Sequence, residues 1–190
     1  MAKDYSEVIS DYLKNLFKFG SEFSKSELVG LVGLLIEKRN HGNFVYLAGN
    51  GGSASTASHF ATDIGIGGLN RAQPVKALSL CDNSAVITAS ANDNGYDSIF
   101  KDQLTTLASP GDLLVVITAS GNSMNLIRAI EACESLGVEV FSLTGFNGGK
   151  VKEMTLGRNI HIETPLGSYG IVEDLHLSIC HMVTECLRAG

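Results

Sequence analysis

Val45-Tyr46-Leu47-Ala48-Gly49-Asn50-Gly51-Gly52-Ser53-Ala54-Ser55 decides the fold, because an apolar strand here empties into a glycine turn that opens a helix. Such a turn is shaped to hold an anion. Glycines let the backbone approach a ligand and take positive φ, and the free N–H groups at a helix start, with the positive end of its dipole, favour a phosphate. The last residues of the turn are expected to cap that helix. A second copy of the device follows: Leu113-Leu114-Val115-Val116-Ile117 leads into Thr118-Ala119-Ser120-Gly121-Asn122-Ser123 and then into the helical periodicity of Leu126, Ile127 and Ile130. Neither turn contains a lysine, which points to a phosphorylated small polyol gripped by hydroxyls and amides. No nucleotide signature is present: G-x-x-x-x-G-K-[ST] is absent, and Gly49-Asn50-Gly51 lacks the third, correctly spaced glycine of a dinucleotide turn.

Outward from these turns, strand-like runs recur near residues 44–48, 75–80, 113–117, 138–143 and 159–163, with helical stretches between most of them. This is the pattern of an α/β fold, a doubly wound sheet of five parallel strands covered on both faces, with ligands bound beyond the carboxyl ends of the strands. Two helices precede it. Residues 4–19 place Tyr5, Val8, Ile9, Tyr12, Leu13, Leu16 and Phe17 at helical spacing, and Leu28, Leu31, Val32, Leu35 and Ile36 repeat the pattern. Later helices already close the sandwich, so the apolar stripes of residues 1–40 are read as contacts with another subunit or as caps on the sheet edge. Residues 1–190 form one domain, large enough to bury a core without staples.

A hydrophobic content of 44% with 18% charge fits a globular chain rather than a disordered one. The formal charge of −6, with lysines and arginines scattered singly, argues against a nucleic-acid partner and an anionic membrane surface. No apolar run approaches the roughly 20 residues of a membrane span, and the N-terminus reads as an amphipathic helix instead of a signal peptide, which places the protein in the cytoplasm. Cys81, Cys133, Cys180 and Cys186 form no C-x-x-C pair and read as reduced core cysteines.

Three groups could carry chemistry. His59 and Asp63 sit four apart in a helix, on one face, where they could share a metal, relay a proton or simply neighbour each other in solvent. The last helix, residues 171–188, carries Glu173, Asp174, His176, His181 and Glu185 among Leu175, Leu177, Ile179, Met182 and Val183, and His181 is either a functional group or a buried imidazole satisfied by Glu185. Ser90-Ala91-Asn92-Asp93-Asn94-Gly95-Tyr96-Asp97 reads as a polar loop before a helix.

Together these residues resemble the SIS (sugar isomerase) domains and, within them, the phosphoheptose isomerases. The resemblance runs over nearly the whole chain: two leading helices, Gly49-Asn50-Gly51-Gly52-Ser53-Ala54 with His59 downstream, Asp82-Asn83, Ala91-Asn92-Asp93, Ser120-Gly121-Asn122-Ser123, and a final helix with His176 and His181. It implies a homotetramer of heptose biosynthesis that converts sedoheptulose 7-phosphate to an aldoheptose 7-phosphate, with bound Zn²⁺. By position it implies that Asn50, Gly51, Gly52, Ser53, Asn92 and Asp93 hold the sugar, and that Thr118, Ala119, Ser120 and Ser123 hold the phosphate. His59, Asp63, Glu173 and His181 would be metal ligands, with Asp63, Glu173 and His181 catalytic.

The chain departs from the family pattern at the chemistry. The family has Glu where this chain has Asp63, Gln in place of Glu173, Arg in place of Gly67, and Asp-Arg in place of Gly170-Ile171. Shortening Glu to Asp withdraws a carboxylate, and Glu173 restores a full-length one, so the pair reads as exchanged: Asp63 chiefly a ligand, Glu173 moving the proton. Two other readings stay open, a noncatalytic sugar-phosphate-binding regulator and an isomerase of a different sugar phosphate.

Overall fold

The computed structural model describes residues 4–66 and 74–189, and Gly67 lies outside them. In chain order the elements are α1 (Tyr5–Gly20), α2 (Lys25–His41), β1 (Phe44–Gly49), α3 (Gly52–Ile64), β2 (Lys76–Ser79), α4 (Ser84–Asn94), α5 (Ile99–Leu107), β3 (Leu113–Thr118), α6 (Met124–Leu136), β4 (Glu139–Phe146), α7 (Gly149–Met154), β5 (Asn159–Glu163) and α8 (Tyr169–Ala189). The strands pair in the order β2-β1-β3-β4-β5, all parallel, with Leu47 beside Ser79 on one flank and Val115 on the other.

Side chains of a strand alternate between faces, so each strand feeds two cores. Val45, Leu47, Val115, Ile117, Leu143 and Ile160 pack against α2, α3 and α8. Tyr46, Ala48, Leu114 and Val116 pack against α5 and α6. Both faces are covered, as expected of a parallel sheet.

The two leading helices differ. In α2 the side chain of Ser24 accepts from the Glu27 N–H, Gly42 closes the helix in the left-handed region at φ 72°, and Leu31 and Leu35 are fully buried in the core. Truncating either leucine to Ala would cost about 2–5 kcal/mol, which makes α2 part of the sandwich and not a removable arm. By contrast α1 has no buried residue and leaves Tyr5 and Phe17 more than four-fifths exposed.

The polar stretch Ser90–Asp97 is not a plain loop. Ser90–Asn94 completes α4, whose cap Asn83 accepts from the Val86 N–H, and Gly95 at φ 88° ends the helix before a single 3-10 turn at Tyr96–Ser98. Alanines at 85, 89 and 91 and the Asn83 cap carry the helix through its polar end. No residue of α4 is buried, so no apolar period announces it. Of the cysteines, Cys133 and Cys180 are buried, Cys81 is half-buried, and Cys186 is exposed on the outer face of α8 rather than in the core. Among the described residues no helix is long and apolar enough to cross a membrane.

Candidate active site

Adjacent β1 and β3 send their chains to opposite sides of the sheet, α3 to one face and α6 to the other. A crevice opens at such a switch point, beyond the carboxyl ends of the strands. Here it is a cavity of about 170 Å³. Asn50 and Ser53 line one side, Ile117–Ser120 and Ser123 the other, and Tyr169 and Glu173 reach in from α8.

Both helix starts on this cavity lack a side-chain cap. The N-cap of α3 is Gly51, at φ 56° and ψ −123°, a conformation that suits glycine, and Ser53 lies inside the first turn instead of capping it. The reason is close packing at Gly49, where a Cβ would stand 2.6 Å from the Ser53 carbonyl oxygen, so the glycine turn itself begins the helix. At α6 the N-cap Ser123 likewise makes no side-chain cap bond. First-turn N–H groups that no side chain occupies are free to receive an anion. The loop before α6 is fixed from outside: Thr118 Oγ1 accepts from the Gly121 N–H at 3.1 Å, and Asn122 donates to the Ser120 carbonyl at 3.0 Å while accepting from the Lys150 N–H at 3.2 Å.

Glu173, half-buried in α8, lies directly on Gly52. A Cβ at position 52 would fall within its carboxylate, so this position has room only for hydrogen. The neighbouring Asp174 accepts the Tyr12 hydroxyl at 2.6 Å, and that bond, with burial and the nearby carboxylates, pushes the Tyr12 phenol up to about 12. A Cβ on Gly170 would stand 3.0 Å from the Tyr12 oxygen, so the glycine makes room for α1 at the foot of α8.

A second constellation forms where α3 packs on α8. His59 Nε2 lies 3.0 Å from His181 Nε2 and 3.2 Å from Asp63 Oδ2, and the ligand atoms of the three residues lie within 4.8 Å of one another. Two imidazoles and a carboxylate are a donor set suited to Zn²⁺, and two Nε2 atoms turned on each other leave lone pairs for a shared cation or a single shared proton. Asp63 is half-buried, while His59 and His181 are exposed.

Glu173 is outside this group. It stands eight residues before His181 on the same helix, a rise of about 12 Å, and its carboxylate is committed to the Gly52 side. The expected four-ligand set therefore divides within this chain into His59, Asp63 and His181 on one side and Glu173 on the other. His181 does not pair with Glu185, which instead accepts from Arg188 at 2.6 Å. His176 turns into the core, where burial pushes it down to about 4 and the Thr144 backbone offsets only part of that. Asn92 and Asp93 are exposed on α4 and bond to each other at 2.8 Å, outside the lining of the cavity. The cavity also holds residues that the sequence reading passed over, Ile117 and Tyr169, and Asn50 is held by two more, Tyr96 and Asn125. Asn125 carries a signal in hindsight, an amide on the otherwise apolar inner stripe of α6.

An α/β sandwich with two helix starts free of side-chain caps at its switch point defines a class, and the SIS domain pattern matches residues 5–145: the chain belongs to the SIS domain family. Within it, curated relatives named phosphoheptose isomerase are similar to this chain over most of its length. The chain is 36% identical over 155 residues to the phosphoheptose isomerase of Alteromonas mediterranea, covering 81% of this chain and 78% of that one. It is 33% identical over 189 residues to that of Helicobacter pylori strain P12, covering 95% and 96%. The solved phosphoheptose isomerase of Neisseria gonorrhoeae superposes with a TM-score of 0.88 at 26% identity, covering 98% of this chain and all of the other.

Proposed function

We propose that this chain is a phosphoheptose isomerase, converting sedoheptulose 7-phosphate to D-glycero-D-manno-heptose 7-phosphate through an enediol. The observation that carries it is the switch-point cavity, where two uncapped helix starts face a single carboxylate. In this reading Thr118, Ala119, Ser120 and Ser123 hold the phosphate and Asn50, Gly51, Gly52 and Ser53 hold the sugar, with Asn92 and Asp93 reaching it from beyond the rim. Binding energy from the unreacting phosphate fixes the reacting carbons against the base. Glu173 takes the proton from C1 of the ketose; the C–H electrons form the C1=C2 bond and the carbonyl pair moves to O2, which is protonated. Loss of the O1 proton and return of the carbon-bound proton from Glu173 to C2 gives the aldose.

Asp63 and His181 stand with His59, so we assign them to a cation. Bound there, Zn²⁺ would supply Lewis-acid polarisation of a substrate oxygen. A cytoplasmic homotetramer completes the proposal, supported by the uncovered apolar side chains of α1. The test is NMR of zinc-supplemented protein with sedoheptulose 7-phosphate in D₂O. Formation of the aldoheptose phosphate with deuterium beside the carbonyl is expected; folded protein silent in both signals would overturn the reading in favour of a binding module or another sugar phosphate.

A further inference from the structure

We propose that Asn125 is a positioning residue: it sets the carboxamide of Asn50 and through it ties the phosphate-holding turn to the sugar end of the cavity. The inference deepens the isomerase reading and rests on it for the identity of the ligand. Asn50 Nδ2 donates to Asn125 Oδ1 at 3.0 Å, and Asn125 Nδ2 donates back to Asn50 Oδ1 at 2.8 Å. Tyr96 donates its hydroxyl to the same Asn50 oxygen at 2.9 Å.

An amide oxygen has two lone pairs and an amide nitrogen two hydrogens. Both lone pairs of Asn50 are therefore occupied, and one of its N–H bonds is committed to Asn125. What Asn50 can offer a ligand is its second N–H, fixed in direction by three separate pieces of chain: the β1–α3 turn, the first turn of α6 and the 3-10 turn at Tyr96. The chemistry it recognises is an acceptor oxygen, the carbonyl or a hydroxyl lone pair of the sugar. Free rotation of an Asn amide is broad and roughly two-fold, so without these partners donor and acceptor would exchange places. Asn125 is buried, lies two residues beyond Ser123 and does not line the cavity, so it acts through Asn50 and not on the ligand.

A kinetic double-mutant cycle tests this in the full chain, with Asn125→Ala, Asn50→Ala and the double variant turning over sedoheptulose 7-phosphate against inorganic phosphate as competitor. Each single variant is expected to lose about tenfold or more in kcat, the double to be no slower than Asn50→Ala, and the phosphate inhibition constant to stay within about twofold. Additive losses, or phosphate inhibition weakened in step with kcat, would overturn the proposal. Tyr96→Phe removes one bond at an exposed position and gives a second readout free of folding problems: kcat down about threefold at constant KM, with no further loss in the Asn50→Ala background. A loss that persists in that background would count against the coupling. If the unmodified chain binds sedoheptulose 7-phosphate but does not convert it, the isomerase reading fails alone. The same cycle read in sugar-phosphate affinity then decides the coupling, with additivity again the overturning result.

Discussion

Gly52 is glycine because the carboxylate of Glu173 occupies the space of a side chain. A methyl group there meets the flexible end of a side chain rather than backbone, and Ala is a good helix former in the first turn of α3. The fold should therefore tolerate Gly52→Ala while Glu173 is displaced. Its melting temperature is expected within a few degrees of the unmodified chain, and its kcat down on the order of a hundredfold, since a shift of about 1 Å costs that much. A kcat that holds would separate Glu173 from the chemistry. The two carboxylates should also part company: Glu173→Gln is expected to lose about 10²–10⁴ in kcat with bound zinc unchanged, whereas Asp63→Asn should lose zinc first, as measured by metal analysis of the purified variants. Residue types in the cavity were legible in the sequence, because glycine turns have local meaning, whereas the place of Ser53 inside the first turn instead of at its cap was not, since it follows from close packing at Gly49. The separation of Glu173 from His181 was legible only as a rise along a helix; which turn faces the cavity is set by the packing of α8 on α3.

β3 was readable at near residue precision, the run 113–117 becoming Leu113–Thr118, buried at every position, whereas β4, expected near 138–143, runs on to Phe146. The end of α4 was not readable, since an element with no buried residue leaves no period to read. Charge also escapes periodicity. Lys38 is buried in α2, and its ammonium bonds Glu139 of β4, which accepts from Arg158 as well, while Glu37 stands 3.3 Å away. Burial raises the Glu139 carboxyl, but the bonds from Lys38 and Arg158 outweigh it and hold it below its ordinary value. Replacing one member of a buried pair leaves an uncompensated charge at about 3–5 kcal/mol, and the remaining Glu37 reduces this, so Glu139→Leu is expected to cost about 2–3 kcal/mol. Urea unfolding would show it as a lower midpoint at unchanged slope. An unshifted midpoint would mean that Lys38 reaches water when its partner is lost.

At the scale of the whole molecule, stability should depend on pH through His176. It is fully buried, and burial lowers its value from 6.5 to about 4 against a smaller opposing contribution from the Thr144 backbone. Between these values the unfolded chain binds the proton and the folded chain does not, so stability rises with pH across that window and falls as pH drops from 6.5 toward 4. The loss is expected to total about 2–3 kcal/mol, at no more than about 1.4 kcal/mol per pH unit. Midpoints of urea unfolding across that range should follow this slope, and His176→Leu should flatten it; equal slopes in the two proteins would assign the acid sensitivity elsewhere. The sandwich itself follows from strand and helix periodicity, but the partners of a buried imidazole depend on how distant strands meet, and no local pattern encodes them.

The position of α8 after all five strands has a consequence for synthesis. The strands and both cavity-lining turns emerge from the ribosome before Tyr169, whereas Glu173 and the side chains that seal one face of the sheet, among them Ile179 and Val183, arrive together in α8. In the proposed reading, a nascent or truncated chain with both turns formed would still lack the Glu173 base, so completion of the core and acquisition of the proposed activity would become one event.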